Sequence, residues 1–166
     1  MRKAAQILAS LPPVRFFSIL IIGVLSIFSR VLSNLKFKAL IPNSKNSICH
    51  YSTEIKYGNN ITIGNFSKIG KHCSLGAKSP ITIGDHVTLS RGVIVETAAL
   101  DLKGEKPYKH YSKPIVIEDG VWLAANVIVL AGVTIKKNAL IGAGTVITKN
   151  VEEGEIIVGA RNRSLS

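Results

Sequence analysis

The sequence predicts an all-β solenoid, a parallel β-helix, that follows a hydrophobic helical extension. Aliphatic residues recur at every sixth position over most of the chain after residue 45. Hydrophobic residues make up 46% of the 166 residues and aromatic residues only 6%, so the core must be mainly aliphatic. Residues 1–53 combine an uninterrupted apolar segment with seven lysines and arginines, and they contain no acidic residue.

The chain divides near residue 45 into two parts of different composition. A chain of 166 residues fits one domain with a single core. We assign residues 1–45 to the basic, hydrophobic extension and residues 46–166 to the β-helix, which is interrupted by a loop over residues 97–114. The two cysteines, Cys49 and Cys73, have no Cys-x-x-Cys spacing, which is typical of a protein in a reducing compartment.

The apolar segment VRFFSILIIGVLSIFSRVL, residues 14–32, predicts a helix in the extension. Pro12 and Pro13 precede it, and proline suits the first turn of a helix. Its apolar residues fall on every face, unlike those of an amphipathic surface helix. The uninterrupted apolar part, Phe16 to Phe28, is shorter than the roughly 20 residues of a spanning helix, and no Ala-x-Ala-like cleavage site follows. The helix either associates with a membrane surface through its basic flanks or packs against a partner subunit.

Twelve aliphatic positions carry the six-residue period. They are Ile63, Ile69, Leu75, Ile83, Leu89, Val95, Ile117, Leu123, Val129, Ile135, Ile141 and Ile147. Four residues after most of them stands a small or β-branched residue: Ser67, Cys73, Ser79, Val87, Val93, Val121, Val127, Val133, Ala139, Thr145 and Val151. Periods of 3.6 or 2, which indicate helices and single strands, do not explain this spacing. A period of six predicts a hexapeptide β-helix, in which three short strands form each coil and each aliphatic side chain stacks on its counterparts.

The segment KPIVIEDGVWLAANVIVLAGVTIKKNALIGAGTVITK, residues 113–149, resembles the repeat block of the bacterial hexapeptide-repeat acyltransferases. That family carries the pattern K-P-I-x-I-x-x-x-V-W-I-G-A-N-V-x-I-L-P-G-V-T-I-G. The departures are Leu123-Ala124 for the usual Ile-Gly and Ala131 for the usual proline. The resemblance covers residues 46–163 and is strongest to the sugar and polysaccharide O-acetyltransferases, some of which also carry a hydrophobic N-terminal extension.

The resemblance implies a left-handed β-helix, although parallel crossovers are otherwise nearly always right-handed. It also implies acetyl-CoA as the co-substrate, direct transfer without an acyl-enzyme, and a homotrimer with active sites between neighbouring β-helices. The acceptor would be a sugar or a precursor of a cell-surface polysaccharide. The enzyme would work in the cytoplasm, where the extension would hold it at the inner face of the membrane.

His110 is the candidate general base, because it is the only histidine in the longest interruption of the hexads. In the family a histidine from a protruding loop removes a proton from the acceptor, and imidazole titrates near neutrality. Many relatives carry this base earlier, in an Asn-His-Asp stretch, where residues 97–101 here read Thr-Ala-Ala-Leu-Asp; others carry the His-x-x-Lys-Pro-Ile arrangement found here. Glu96 is the candidate to orient the imidazole, in competition with Asp101 and Glu105. The alternative is that His110 is only a polar loop residue.

The resemblance also assigns cofactor contacts. The backbone N–H of Ala125 matches the donor that faces the thioester oxygen, where it would stabilise an oxyanion. The other matching positions are Trp122, Ala143, Thr148, Lys149, Arg161 and Arg163. Arg161 replaces the proline of the family's Gly-x-Pro-Ala segment, and cations there would meet the nucleotide phosphates. Each of these residues is equally well explained as a packing residue or a solvated charge.

The other histidines and the net charge limit the remaining functions. His72 and His86 stand fourth in their hexads, at corners that face solvent, and His50 lies in the entry coil. No His-x4-His pair is present, so we expect no metal site of the kind used by the γ-carbonic anhydrases, which share this fold. The net charge of +11 suggests an anionic partner, but no nucleic-acid recognition motif is present. A non-catalytic scaffold, and an acetyltransferase for another hydroxyl or amine, are the alternatives.

Overall fold

The computed structural model describes residues 11–159. Within this range, helix α1 (Pro12–Leu40) precedes seventeen strands of two or three residues and a 3-10 turn at Gly58–Asn60. The strands are β1 (Ile48–Cys49), β2 (Glu54–Lys56), β3 (Ile61–Ile63), β4 (Lys68–Ile69), β5 (Ser74–Gly76), β6 (Ile81–Ile83), β7 (Thr88–Leu89), β8 (Ile94–Glu96), β9 (Ala98–Leu100), β10 (His110–Ser112), β11 (Ile115–Ile117), β12 (Trp122–Leu123), β13 (Ile128–Val129), β14 (Thr134–Ile135), β15 (Leu140–Ile141), β16 (Val146–Ile147) and β17 (Ile156–Ile157).

Three parallel sheets form the three faces of a β-helix. Face A contains β3, β6, β11 and β14; face B contains β1, β4, β7, β12, β15 and β17; face C contains β2, β5, β8, β13 and β16. The chain visits the faces in the order A, B, C, and each strand pairs with the strand one coil later. Lys68 thus pairs with Thr88, Thr88 with Trp122, and Trp122 with Leu140. The predicted left-handed parallel β-helix with an N-terminal helix is confirmed.

The aliphatic residues of the six-residue period form the core. All twelve are at most 4% exposed. Strand pairing stacks them in rows, such as the row from Ile63 through Ile83 to Ile117 on face A. The small residues four positions later are buried as well, except for the half-buried Ser79. The core is narrow and aliphatic because the three faces direct their inward side chains, which on face A include Ile61, Ile81 and Ile115, into one small interior.

The last turns of α1 close one end of this core. Phe37 is 1% exposed, and Ile41, directly after the helix, is fully buried. Lys36 Nζ donates to two backbone carbonyl groups of the first coil, each at 2.7 Å. The described residues divide into two compact units between Leu32 and Ser33, so the end of α1 belongs to the β-helix unit. A solenoid needs such a cap because its terminal coil has no neighbouring coil to cover its apolar interior.

Helix α1 begins with Pro12 and Pro13 as expected, but it ends at Leu40, beyond the predicted end at residue 32. From Phe16 to Leu32 every leucine, isoleucine, valine and phenylalanine is exposed. Within the described part of the chain, α1 alone has the length and apolar composition to cross a membrane. The core helix of a soluble protein or a signal sequence satisfies the same criterion, so length and composition alone do not choose among these roles.

The interruption over residues 97–114 contains an antiparallel hairpin that the sequence did not predict. β9 and β10 pair so that Leu100 lies opposite His110. Ser79 Oγ bonds to Ser112 Oγ at 2.7 Å, which fixes the base of the hairpin to the preceding coil. All residues of β9 and β10 are exposed or half-buried. The strands therefore lack the apolar alternation from which a strand is usually predicted, because neither side of the hairpin faces a core.

Candidate functional site

Three corners join the faces, and the candidate site residues lie on two of them. The B–C corner contains residues 50–53, 70–73, 90–93, 124–127 and 142–145, each of which follows a strand of face B. The C–A corner contains the hairpin and, two coils later, residues 148–150. The A–B corner contains residues 64–67, 84–87, 118–121 and 136–139. His72 and His86 lie exposed at corners, as expected, with φ of 55° and 57°.

His110 lies exposed on β10, the returning strand of the hairpin. Its backbone pairs with Leu100, and its imidazole makes no hydrogen bond or ion pair with any residue of the described range. An imidazole without an internal partner can bond to an incoming hydroxyl. The geometry is compatible with a general base, and this role stays a prediction.

Glu96, at the end of β8, holds the start of the hairpin. Its Oε1 accepts a hydrogen bond from Ala98 N at 2.9 Å. The half-buried carboxylate lies over Gly76, where an added Cβ would clash with it. Asp101 Oδ1 accepts from Lys103 N at 3.1 Å in the turn of the hairpin. Among the hydrogen bonds of residues 11–159, none joins either carboxylate to the candidate base, so the orienting role of Glu96 stays a prediction.

Ala125 and Ala143 stack on the B–C corner in consecutive coils. Gly144 N donates to Ala125 O at 2.9 Å, and neighbouring coils of such a ladder are about 4.8 Å apart. In the described range, the backbone N–H groups of Ala125 and Ala143 donate to no acceptor, and both residues are at least partly exposed. These two backbone N–H groups, whose own side chains are only methyl groups, can donate hydrogen bonds to a thioester oxygen and to an amide carbonyl of a bound acyl-CoA.

Trp122 lies on face B beside this corner. Its indole N–H donates to Ser90 Oγ of the preceding coil at 3.0 Å, and the ring is half exposed. The hydrogen bond restrains the ring against the preceding coil. The role of Trp122 as a wall beside the cofactor stays a prediction.

Thr148 and Lys149 are exposed on the C–A corner, at the far end of the β-helix from α1. They line a cavity of about 290 Å³ together with Val146 and Ile157. A lysine beside such a cavity can form charge-assisted hydrogen bonds with a phosphate. The candidate residues Arg161 and Arg163 lie outside the described residues.

The structure brings the candidates together in two separate groups. Ala125, Ala143 and Trp122 lie at the B–C corner, whereas His110 and Lys149 lie at the C–A corner, with face C between them. One protomer therefore does not place the candidate base against the candidate oxyanion donor.

Sequence reasoning missed two cations on the B–C corner. Lys71 and Arg91 occupy the same place in their coils as Ala125 and Ala143, as the bonds from Gly92 N to Lys71 O and from Asn126 N to Arg91 O show, both 2.9 Å long. Both side chains are exposed. A signal was present, because each of these residues stands two positions after a core aliphatic residue of face B.

Among residues 11–159, the remaining titratable groups do not form a metal or thiol centre. In the described part of the chain, no group of three or more His, Cys, Asp or Glu side chains could hold a metal ion. Burial raises the pKa of the Cys49 and Cys73 thiols, which keeps them protonated at neutral pH. Partial burial, with added repulsion from Lys71 and His72, lowers the pKa of His50.

The regular six-residue repeat of short parallel strands places the chain in the class of hexapeptide-repeat transferases. The model of the bacterial transferase hexapeptide with six repeats matches residues 114–149, and the model of the hexapeptide repeat of succinyl-transferase matches residues 68–97. The chain belongs to the hexapeptide-repeat acetyltransferase family and is an acyltransferase. No curated protein matches it in sequence.

Solved structures of this family have the same fold. A hexapeptide-repeat acetyltransferase of Vibrio cholerae O1 biovar eltor, complexed with acetyl coenzyme A, is 31% identical with a TM-score of 0.70, over 78% of this chain and 74% of that chain. A maltose O-acetyltransferase of Clostridium difficile 630 is 32% identical with a TM-score of 0.67, over 74% of this chain and 67% of that chain. A galactoside acetyltransferase in complex with coenzyme A is 27% identical with a TM-score of 0.66, over 74% and 63%.

Proposed function

We propose that this acyltransferase is an acetyl-CoA-dependent O-acetyltransferase whose acceptor is a sugar or a precursor of a cell-surface polysaccharide. Two of the similar proteins are named for maltose and galactoside acceptors, and a third is complexed with acetyl coenzyme A. The observation that carries the proposal is the hairpin, which is the longest departure from the regular coils. It presents His110, whose imidazole has no partner among the residues described.

In the proposed reaction His110 is the general base. Its unprotonated ring nitrogen accepts the proton of the acceptor hydroxyl, and the hydroxyl oxygen attacks the thioester carbonyl carbon. The N–H of Ala125 donates a hydrogen bond to the carbonyl oxygen while that oxygen carries negative charge. The carbon–sulfur bond then breaks, and the imidazolium gives its proton to the thiolate. The products are an acetyl ester and the free thiol of coenzyme A, and no acyl-enzyme forms.

Two neighbouring protomers share each site in this proposal, because His110 and Ala125 stand on different corners. Face C between them presents Ile94, Ile128 and Val146 outward, an apolar surface that a second protomer would bury. A homotrimer with three-fold symmetry closes such head-to-tail contacts. Light scattering of the solubilised protein should give three times the 17.9 kDa chain mass after correction for detergent. A stable monomer with full activity would contradict the shared site.

We further propose that residues 12–32 hold the enzyme at the cytoplasmic face of the inner membrane. The exposed apolar side chains of α1 need a nonpolar partner, and Arg15 and Arg30 are suited to anionic headgroups. The competing interpretation is that another subunit covers the helix. Sedimentation with vesicles of anionic lipid separates the two, since a helix covered by a subunit leaves the protein in the supernatant.

The substitution His110→Ala tests the catalytic proposal. Positioned acid–base catalysis contributes about 10²–10⁴-fold, so the rate of coenzyme A thiol release with a sugar acceptor should fall by that factor. Acetyl-CoA affinity and trimer formation should stay near wild type, because Ala125, Ala143 and Trp122 lie on another corner and Lys149 lies two coils away from the hairpin. The matched control is His86→Ala, which removes an exposed histidine that stacks on Phe66 at the A–B corner.

Two outcomes favour other functions. Activity within a few-fold of wild type in His110→Ala would mean that the base comes from another residue. Absence of acetyl-CoA binding in the wild type would support a non-catalytic scaffold. Transfer to amines but not to sugar hydroxyls would keep the enzyme and replace the acceptor.

A further inference from the structure

We propose that the first half of the B–C corner binds a phosphate or diphosphate group of the acceptor, so that the enzyme acetylates a phosphorylated sugar instead of a neutral one. This inference rests on the proposed sugar acceptor and names its chemical class. The binding groups would be the side chains and backbone N–H groups of Lys71 and Arg91, with Lys68 at the edge.

A groove of about 370 Å³ lies along this part of the molecule. Three successive coils line it with His50, with Lys68 and Lys71, and with Ser90. Its floor is the backbone and inner side chains of β1, β4 and β7 on face B. The groove is open to solvent on the side where the cationic side chains are exposed, so a ligand can enter without a change of fold.

The backbone adds donors to these cations. Within residues 11–159, the N–H groups of Lys71 and Arg91 donate to no acceptor, as is also true of Ala125 and Ala143 in the following coils. Because successive coils are about 4.8 Å apart, the corner presents a column of open donors at regular spacing. In the later coils these donors are flanked by methyl groups, and in the earlier coils they are flanked by positive charges. Open N–H groups next to cations are the combination that phosphate oxygens require.

At the A–B corner, built from the same repeat, carboxylates close three of the corresponding backbone donors. Asn65 N donates to Asp85 Oδ1 at 2.6 Å, Asp85 N donates to Asp119 Oδ1 at 2.9 Å, and Lys137 N donates to Glu118 Oε2 at 3.1 Å. Carboxylates therefore cap one corner internally, whereas no carboxylate caps the B–C corner in the described coils. Its first-coil donor, Tyr51 N, donates to Ser33 Oγ at 2.9 Å. The two corners have the same backbone architecture, so their side chains determine whether the backbone N–H groups are capped.

No carboxylate neutralises the groove. The segments that line it, residues 46–53, 65–73 and 87–95, contain no Asp or Glu. Of the described residues, only Lys56, Lys136 and Lys137 form salt bridges, so Lys68, Lys71 and Arg91 have no ionic partner. Burial, followed by repulsion from Lys71 and His72, lowers the pKa of His50 in the same groove. A site with uncompensated positive charge favours a dianionic ligand over a neutral sugar.

The position of the groove fits an acceptor site. Ser90 lines the groove and Arg91 follows it at the corner. Arg91 and Ala125 are vertical neighbours, joined by the bond from Asn126 N to Arg91 O, so the groove lies next to the proposed position of the acetyl donor. Trp122, on face B beside this junction, donates its indole N–H to Ser90 Oγ. A phosphate held at Lys71 and Arg91 would therefore place the sugar that carries it beside Ala125. A sugar nucleotide and a sugar diphosphate linked to a lipid both have this chemistry.

The first test measures binding of inorganic pyrophosphate to the full-length protein in detergent, with acetyl-CoA at saturation to occupy the cofactor site. The double variant Lys71→Gln/Arg91→Gln should bind pyrophosphate about 10- to 100-fold more weakly, because it loses charge-assisted hydrogen bonds. The matched control Lys136→Gln/Lys137→Gln removes the same charge from the A–B corner and should bind as the wild type does. Equal affinity in both double variants, or complete loss of pyrophosphate binding when acetyl-CoA is added, would overturn the inference.

The second test compares acceptors by thiol release: a neutral hexose, its sugar nucleotide, and the same sugar as a polyprenyl diphosphate in vesicles. The phosphorylated forms should be better substrates by at least tenfold in kcat/KM, and the Lys71→Gln/Arg91→Gln variant should lose this preference mainly through KM. Preference for the nucleotide or for the vesicle-borne form identifies the source of the phosphate. Equal transfer to neutral and phosphorylated acceptors contradicts the inference alone, whereas no transfer to any acceptor contradicts the proposed function.

Discussion

Helix residues 12–32 and the β-helix are both rich in isoleucine, leucine and valine, but these side chains are exposed in the helix and buried in the β-helix. In the helix the apolar side chains point in all directions, and from Phe16 to Leu32 every large one is exposed. In the β-helix the same residue types recur every sixth position, and all twelve of them are at most 4% exposed.

The spacing of the aliphatic residues, more than their number, therefore determines whether they are buried in this chain. A coil of three short strands directs each sixth residue to a common interior, and the next coil covers it. A single helix has no second layer, so its apolar side chains need a partner that is not part of residues 11–159. The β-helix is therefore stable through its own contacts, whereas the helix is suited to binding something else.

The largest expected effect comes from placing a charge in each region. Ile117→Asp puts a carboxylate into the core beside Ile83 and Ile135, and it should cost more than about 4 kcal/mol and prevent folding. Ile22→Asp changes an exposed helix position and should leave the urea midpoint of the β-helix unchanged, while it reduces sedimentation with anionic vesicles. A folded Ile117→Asp protein, or a large shift of the midpoint in Ile22→Asp, would break the contrast between the two regions.

Truncation should give the next largest effect and should locate the boundary between the regions. Removal of residues 1–32 leaves Phe37 in place, so the shortened protein should fold, remain in solution and keep acetyl-CoA binding. Removal of residues 1–40 deletes Phe37 and Lys36 and uncovers one end of the core. Loss of a buried phenylalanine costs about 3–5 kcal/mol, so the urea midpoint should fall clearly.

Equal stability of the two truncated proteins would mean that the end of α1 is not a cap. The substitution Phe37→Ala in the full chain is the matched control, and it should reproduce most of the loss without any change in length. The control Leu35→Ala, at an exposed position of the same turn, should have little effect.

The smallest expected effect comes from glycine-to-alanine substitutions, which should lower the stability of the β-helix and raise the stability of the helix. Gly120, at the A–B corner, has φ of +70°, and an added Cβ would meet Asn138 Oδ1. Gly120→Ala should therefore destabilise the β-helix by about 1–2 kcal/mol in thermal unfolding. Gly23 has no atom within 4 Å of an added Cβ, so Gly23→Ala should stabilise the helix by about 0.5–1 kcal/mol through helix propensity. Loss of helical circular dichroism in Gly23→Ala would show that another chain packs closely at this glycine.

Much of the fold could be predicted because the hexads report burial directly. The inward positions, the exposed corner histidines and the start of the helix were all predicted correctly. The end of α1 was not, because residues 33–40 continue the helix for a reason that lies in tertiary contacts of Phe37. The hairpin was missed for the converse reason, since strands without a buried face leave no apolar alternation in the sequence.

The candidate site could be predicted only residue by residue. Family motifs identified His110, Ala125 and Lys149 as candidates, but a motif does not show which corner of the β-helix a residue occupies. The corner of a residue depends on the number of residues in each coil, and this number varies. Thr88 pairs with Lys68 of the preceding coil and with Trp122 of the following coil, and the two sequence separations differ. The stacking of Lys71 and Arg91 on Ala125 could not be predicted for the same reason, because the coils between them differ in length.

A β-helix with an aliphatic interior, an apolar helix before it and a histidine in its longest interruption followed from the sequence alone. They could be predicted because the aliphatic residues that recur at every sixth position are side chains that face inward. The tertiary structure alone decided that His110 and Ala125 lie on different corners, that Phe37 caps the core, and that one corner keeps its N–H groups open beside two cations. These features depend on which coils are stacked on each other, and stacking is set by long-range pairing that no local pattern encodes.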